Sequence, residues 1–158
     1  MEKAKRIVSG KITLSILVLT ALLYSCNFNK KEAPSIYRAM NKKDTAVLTL
    51  TIDKNRFYGQ YEVKYGKIGK DSGSVRGEII GDSLRGIYNY ISYGGSWKKA
   101  PIALLKKNNQ LLLGKGATTT LLDIPCFVPG IPIDYTNPEF VFEKMNKKTE
   151  FENATTPK

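Results

Sequence analysis

Phe57-Tyr58-Gly59-Gln60-Tyr61-Glu62-Val63-Lys64-Tyr65 sets Phe57, Gly59, Tyr61, Val63 and Tyr65 against Tyr58, Gln60, Glu62 and Lys64. A period of two with one polar face is the pattern of a strand in an antiparallel sheet that is wet on one side. Just upstream, Ala46, Leu48, Leu50 and Ile52 share one face while Thr49 and Thr51 take the other, with Val47 out of step. Between the two runs lies Asp53-Lys54-Asn55, whose Asp and Asn tolerate left-handed backbone, so the pair reads as a β-hairpin.

A weak repeat extends this reading along the chain. Asn55-Arg56-Phe57-Tyr58-Gly59-Gln60-Tyr61, Asp82-Ser83-Leu84-Arg85-Gly86-Ile87-Tyr88 and Gln110-Leu111-Leu112-Leu113-Gly114-Lys115-Gly116 align as turn residue, large apolar two on, glycine two further. Gly73-Ser74-Val75-Arg76-Gly77-Glu78-Ile79 is a degenerate fourth copy. Each copy would start a strand after a turn with its glycine facing inward, where a missing side chain makes room for rings or lets the strand coil. Strands are thus predicted near 36–41, 45–53, 56–66, 73–80, 83–92, 96–106, 110–119 and 138–145, and no window carries a 3.6-residue apolar period over three turns. The fold class is all-β: an antiparallel up-and-down meander of about eight strands, closing into a small lipocalin-like barrel with sequential neighbours paired. A curved open sheet or a barrel of fewer strands is the alternative. Pro101 cannot donate to a ladder, so it marks an edge or a bulge in the sixth strand. The stretch from Leu121 to Asn137, with Pro125, Pro129 and Pro132, is too proline-rich for a central strand and too apolar for a solvated loop. It is expected to bury Leu121, Leu122, Ile124, Phe127, Val128, Ile131 and Ile133, either as a lid over one mouth or wrapped on an open sheet edge.

The chain's start carries a different signal. Lys3, Lys5, Arg6 and Lys11 precede an uncharged run from Ile12 to Leu23, too short for a span that needs about 20 apolar residues. The run closes on Leu23-Tyr24-Ser25-Cys26, which resembles a bacterial lipoprotein signal. That resemblance implies cleavage before Cys26 and a lipid-modified Cys26 as first mature residue, anchored to a membrane without spanning it, since two or more acyl chains make anchoring stable. Asn27 after the cysteine, by analogy with lipoprotein sorting, points to the outer membrane, and the basic segment Asn27-Phe28-Asn29-Lys30-Lys31-Glu32 points to a periplasm-facing position. The expected organisation is a signal peptide over 1–25, a lipidated cysteine and polar tether over 26–35, a barrel domain over 36–145 and a disordered polar tail over 146–158.

Composition narrows the chemistry. The chain has 25 Lys and Arg against 14 Asp and Glu and no histidine, for a formal charge of +11. Such a charge attracts lipid phosphates or other polyanions, but the lysines are scattered over turns and solvent faces and no nucleic acid is expected as a partner. Without histidine there is no Ser-His or Cys-His nucleophile pair and no histidine-bearing zinc site. Ser96-Trp97-Lys98-Lys99 has the S-x-x-K spacing of serine acylases, but in a strand residues three apart point to opposite faces. Asp123, Asp134, Glu139 and Glu143 gather late in the chain without a spacing that demands glycoside hydrolysis. Cys126 is left without a partner once Cys26 is lipidated, and is read as a buried inert thiol. No catalytic residue, metal site or cofactor is predicted.

Aromatics are the positive signal that remains. Tyr61, Tyr65, Tyr88 and Tyr90 fall on inner faces and Trp97 follows a Gly-Gly turn. Tyr61, Tyr88, Tyr90 and Trp97 would line a cavity if the barrel is hollow, while in a chain this small the same rings more often fill the core. The lipoprotein signal, the basic tether and the glycine repeats together resemble the small β-rich, lipocalin-like lipoproteins of Bacteroidota-type bacteria, a group without assigned activity. The leading expectation is a non-enzymatic, outer-membrane-anchored barrel that binds a small amphiphile or envelope component in or on its barrel. The alternative is a structural or accessory protein that docks a membrane partner through its outer face.

Overall fold

Left-handed backbone at Lys54, Gly81 and the pair Asn108-Asn109 closes three of the hairpins that alternation predicts, and Lys42 and Gly66 serve two more. Two consecutive residues of positive φ, as at Asn108-Asn109, match the twist of the flanking strands and make the tightest hairpin turns. The computed structural model describes residues 33–145. It contains β1 (Ser35–Asn41), β2 (Asp44–Asp53), β3 (Arg56–Tyr65), β4 (Gly69–Ile80), β5 (Ser83–Ile91), β6 (Trp97–Lys107), β7 (Gln110–Leu113), β8 (Thr118–Leu121), β9 (Ile124–Phe127) and β10 (Val141–Lys144). The signal peptide, Cys26, the tether up to residue 32 and the tail lie outside the described residues.

Eight strands close an antiparallel barrel in the order β1-β10-β7-β6-β5-β4-β3-β2, and β8 pairs with β9 as a separate hairpin. Closure leaves the barrel no free edge between β1 and its last strand, because Tyr37 and Arg38 pair with Lys144 and Glu143. The register sets inner faces: Leu48 lies opposite Tyr61, Tyr61 opposite Gly73, Val75 opposite Tyr88, and Leu111 opposite Phe142. Leu48, Tyr61, Val75, Tyr88, Leu111 and Phe142 form one core with Ala46, Leu50, Phe57, Ile102 and Leu104, all buried. At about 25 cal/mol per Å² of apolar surface, it is this shared interior that holds the shell together.

Two predicted boundaries are corrected. The seventh strand ends at Leu113 instead of running to residue 119, and the last begins at Val141 instead of 138. The cause is Gly114 and Gly116: a Cβ on the first would strike Ile133 and the Tyr135 ring, and on the second the Phe127 ring, so the chain leaves the ladder beneath the segment that returns over it. Sequential pairing therefore breaks once, where β7 neighbours β10 and the β8–β9 hairpin is inserted between them.

That insertion settles the role of the proline-rich stretch. β7 pairs only with Leu104–Lys107 of β6, so Trp97–Ala103 keep one barrel partner, β5. Pro101 sits in that local edge, opposite Ile87. The Gly114 N–H donates to the Ala103 carbonyl at 2.9 Å, Lys115 and Asp134 exchange backbone bonds, and Val128 N–H donates to Ala117. With β9 lying against β6, Ala103 is fully buried although it faces outward. The segment wraps a sheet edge. The expected burial fails in part: Phe127, Val128 and Ile133 are half-buried, but Leu121, Leu122, Ile124 and Ile131 are exposed.

Candidate functional site

The tyrosines predicted for the interior come together because glycine makes room for them. Gly73 on β4 is the register partner of Tyr61 on β3 and of Tyr90 on β5, and it contributes no side chain between them. Tyr61 and Tyr88 rings lie 4.8 Å apart, Tyr88 stacks on Tyr90 at 4.4 Å and 8°, and Tyr61 meets Phe142 at 5.9 Å edge to face. Such ring pairs contribute about 0.5–1.5 kcal/mol beyond the area they bury. The Tyr88 hydroxyl donates to the Tyr61 carbonyl at 3.0 Å, which satisfies its polar end in the core. Burial, with smaller contributions from neighbouring tyrosines and acidic groups, holds the Tyr61 and Tyr88 hydroxyls well above the ordinary tyrosine range; burial also raises Tyr90.

Trp97 does not join them. The register places Ala100, Ile102 and Leu104 of β6 inside, opposite Tyr88, Gly86 and Leu84, so odd-numbered Trp97 points outward opposite Ile91 and is 76 % exposed. The alternation of Ile102 and Leu104 with Ala103 carried that parity in the sequence. Lining of an inner cavity by Trp97 is therefore corrected: Gly94-Gly95 turns the chain, but the ladder decides which face follows.

Sequence reasoning missed Asp71. It occupies an inward position on β4, opposite Val63, and is buried. Tyr65 donates its hydroxyl to Asp71 Oδ2 at 3.1 Å, and the backbone N–H of Tyr93 donates to Oδ1 at 2.8 Å. Burial first, then the Asp71 carboxylate, raises the Tyr65 hydroxyl. Hydrogen bonds to a charged acceptor are worth about 1.5–3 kcal/mol, enough to fix the loop between β5 and β6 against the barrel end. That loop is also tied internally, by Ser92 N–H to Ser96 O at 2.9 Å and Gly95 N–H to Ser92 O at 2.7 Å. The signal available was an aspartate at an inward parity of a strand, where an apolar residue is the rule.

The late carboxylates are dispersed. Asp134 accepts from the Thr136 N–H and hydroxyl, which lowers its pKa, Glu143 accepts from Gln110 at 3.3 Å, and Asp123 sits in the β8–β9 turn. Among the described residues no three His, Cys, Asp or Glu side chains are grouped to hold a metal ion. Cys126 is a half-buried free thiol on β9, opposite Thr119. Among the described residues, grooves lie on the outer wall. One of about 470 Å³ follows the β1–β10 seam between Arg38, Met40, Val141 and Lys144, and one of about 360 Å³ lies between Glu62, Lys64, Lys67 and Lys70.

Neither protein-family models nor curated proteins nor solved structures yield a match to this chain. A ring-filled interior and an outer wall with grooves and exposed apolar side chains can bind at the surface.

Proposed function

We propose that the protein is a lipid-anchored, non-enzymatic accessory barrel of the outer membrane, which acts by docking an envelope partner on its outside and encloses no small amphiphile. The observation that carries this reading is the β8–β9 hairpin. Its tip exposes Leu121, Leu122 and Ile124 together, and Leu122 is 89 % exposed at φ 49°, a backbone region that costs an L-residue with a bulky side chain about 1 kcal/mol or more. A polar residue or glycine would serve the turn better and leave no apolar surface in water. Large side chains held in this way suit a contact made with another molecule. The interior supports the same choice, since Tyr61, Tyr88 and Phe142 occupy the centre where a ligand of a hollow barrel would sit.

The anchor and the contact are tested separately. Cys26→Ser is expected to move the protein from the membrane to the soluble fraction or to leave it unprocessed, read by fractionation and by the mass of the acyl chains; unchanged acylation and fractionation would refute the anchor. Native mass spectrometry of the protein extracted from its own membrane, beside Leu122→Asp/Ile124→Asp, tests the contact. The expected result is a wild-type complex with an envelope component that the variant loses at unchanged melting temperature. A stoichiometric amphiphile retained by both proteins would favour the enclosed-ligand reading instead.

A further inference from the structure

We infer that the groove between Lys64, Lys67 and Lys70, at the turn joining β3 and β4, is a binding site for a phosphate-bearing ligand. The register places Lys64 and Lys70 directly opposite each other on the outer face of adjacent strands. Like charges in that position repel, so this pair works against the ladder that holds it. Only part of the repulsion is offset: Lys70 pairs with Glu62 at 2.8 Å, the single ion pair among the described residues, which leaves the Lys64 and Lys67 ammonium groups without a carboxylate. Of the other acids at that end, Asp71 faces inward and is occupied by Tyr65 and Tyr93, and Asp44 stands on β2 opposite Tyr65.

The surroundings add charge of the same sign. The β3–β4 turn touches both neighbouring turns of that barrel end: the Lys43 stem lies against Gly66, and the Tyr93 side chain packs on Gly69. The first of these turns carries Lys42 and Lys43, and Lys98 and Lys99 follow the second. Lysines thus rim the barrel end that holds a groove of about 360 Å³, which Gly66 and Gly69 line together with Glu62, Lys64, Lys67 and Lys70. A dianionic phosphoryl group set between Lys64, Lys67 and Lys70 would replace repulsion with attraction, and the rim would steer it there. The same chemistry is offered by a soluble phosphate ester and by the head group of an anionic phospholipid. This site is separate from the β8–β9 hairpin, so its test stands whether or not the docking reading does.

The test uses the full-length protein in neutral detergent, labelled for backbone amide NMR. Inorganic pyrophosphate is titrated in one arm, and phosphatidylglycerol is added to the micelles in the other, with phosphatidylcholine as control. Shifts are expected at Gly66, Lys67 and Gly69 and not at Asn108 or Asn109 on the opposite end. Lys64→Glu/Lys67→Glu should weaken binding at least about tenfold, and Lys54→Glu/Lys107→Glu, an equal change of charge at the other end, less than about threefold. Binding in the first arm alone identifies a soluble ligand, and in the second alone a head group; either supports the site. Equal losses in the two variants, or no shift at the groove in either arm, would overturn it.

Discussion

Gly77→Val is expected to abolish stable folding, with a loss of more than about 4 kcal/mol seen as the absence of a cooperative urea transition. Gly77 faces inward, between Phe57 on β3 and Gly86 on β5. A Cβ there would lie 2.6 Å from the Gly86 Cα and closer still to the Arg85 carbonyl oxygen; one on Gly86 would meet the Arg76 carbonyl in the same way. The obstacles are backbone atoms of the neighbouring strand, so no rotamer change relieves them. β4 and β5 would have to part in the middle of a ladder that runs from Ser72 to Ile80, and in a closed barrel that displacement passes to every other strand. Gly81→Ala is the control. It lies in the β4–β5 turn at φ 59° with open space around it, and should cost only about 1 kcal/mol, for left-handed backbone alone. Comparable losses in the two variants would mean that the facing glycines are not what lets the strands approach.

The same glycines show how far the chain could be read without coordinates. Phe57 to Tyr65 alternates because one face is buried along its whole length, and that pattern alone decides the strand, its inner face and the place of Tyr61. Gly59 and Gly86 are legible as inward positions because they recur at a fixed offset from a turn residue, and Gly77 keeps that offset from Gly73, which lies mid-strand. Gly114 has the same offset but a different cause: it lies under Ile133 and Tyr135, contacts made about twenty residues downstream that no local pattern announces. The Gly94-Gly95 turn does not announce the parity of the strand it opens, and that parity puts Trp97 outside. Asp71 is invisible in the sequence because its inward place is justified only by Tyr65 on β3 and by the Tyr93 N–H in the β5–β6 loop. The hairpin of β8 and β9 was hidden for the opposite reason. Apolar side chains are ordinarily a sign of burial, and Leu121, Leu122 and Ile124 break that rule, which is why they bear on function.

Above pH 10 the protein should lose stability steeply, because its interior withholds tyrosine protons that the unfolded chain releases. Burial raises the hydroxyls of Tyr61, Tyr65 and Tyr88 above the ordinary value of 10.0. Between that value and the folded one, the native state binds more protons than the unfolded state, so stability falls as pH rises, while below it these groups contribute no slope. A tyrosine as buried as Tyr61 contributes about 1.4 kcal/mol per pH unit in that interval, and the half-exposed Tyr65 less. Tyr61→Phe keeps the ring against Tyr88 and Phe142 and removes the titration; its urea midpoint should fall less than that of the wild type between pH 10 and 11.5. Tyr88→Phe should flatten the profile too, but from a start about 1 kcal/mol lower at neutral pH, since the bond to the Tyr61 carbonyl is lost. A water-filled barrel would hydrate these hydroxyls and leave them near their ordinary range. Parallel decline of wild type and Tyr61→Phe would therefore contradict a ring-filled interior, and with it the argument that this barrel meets its partners from outside.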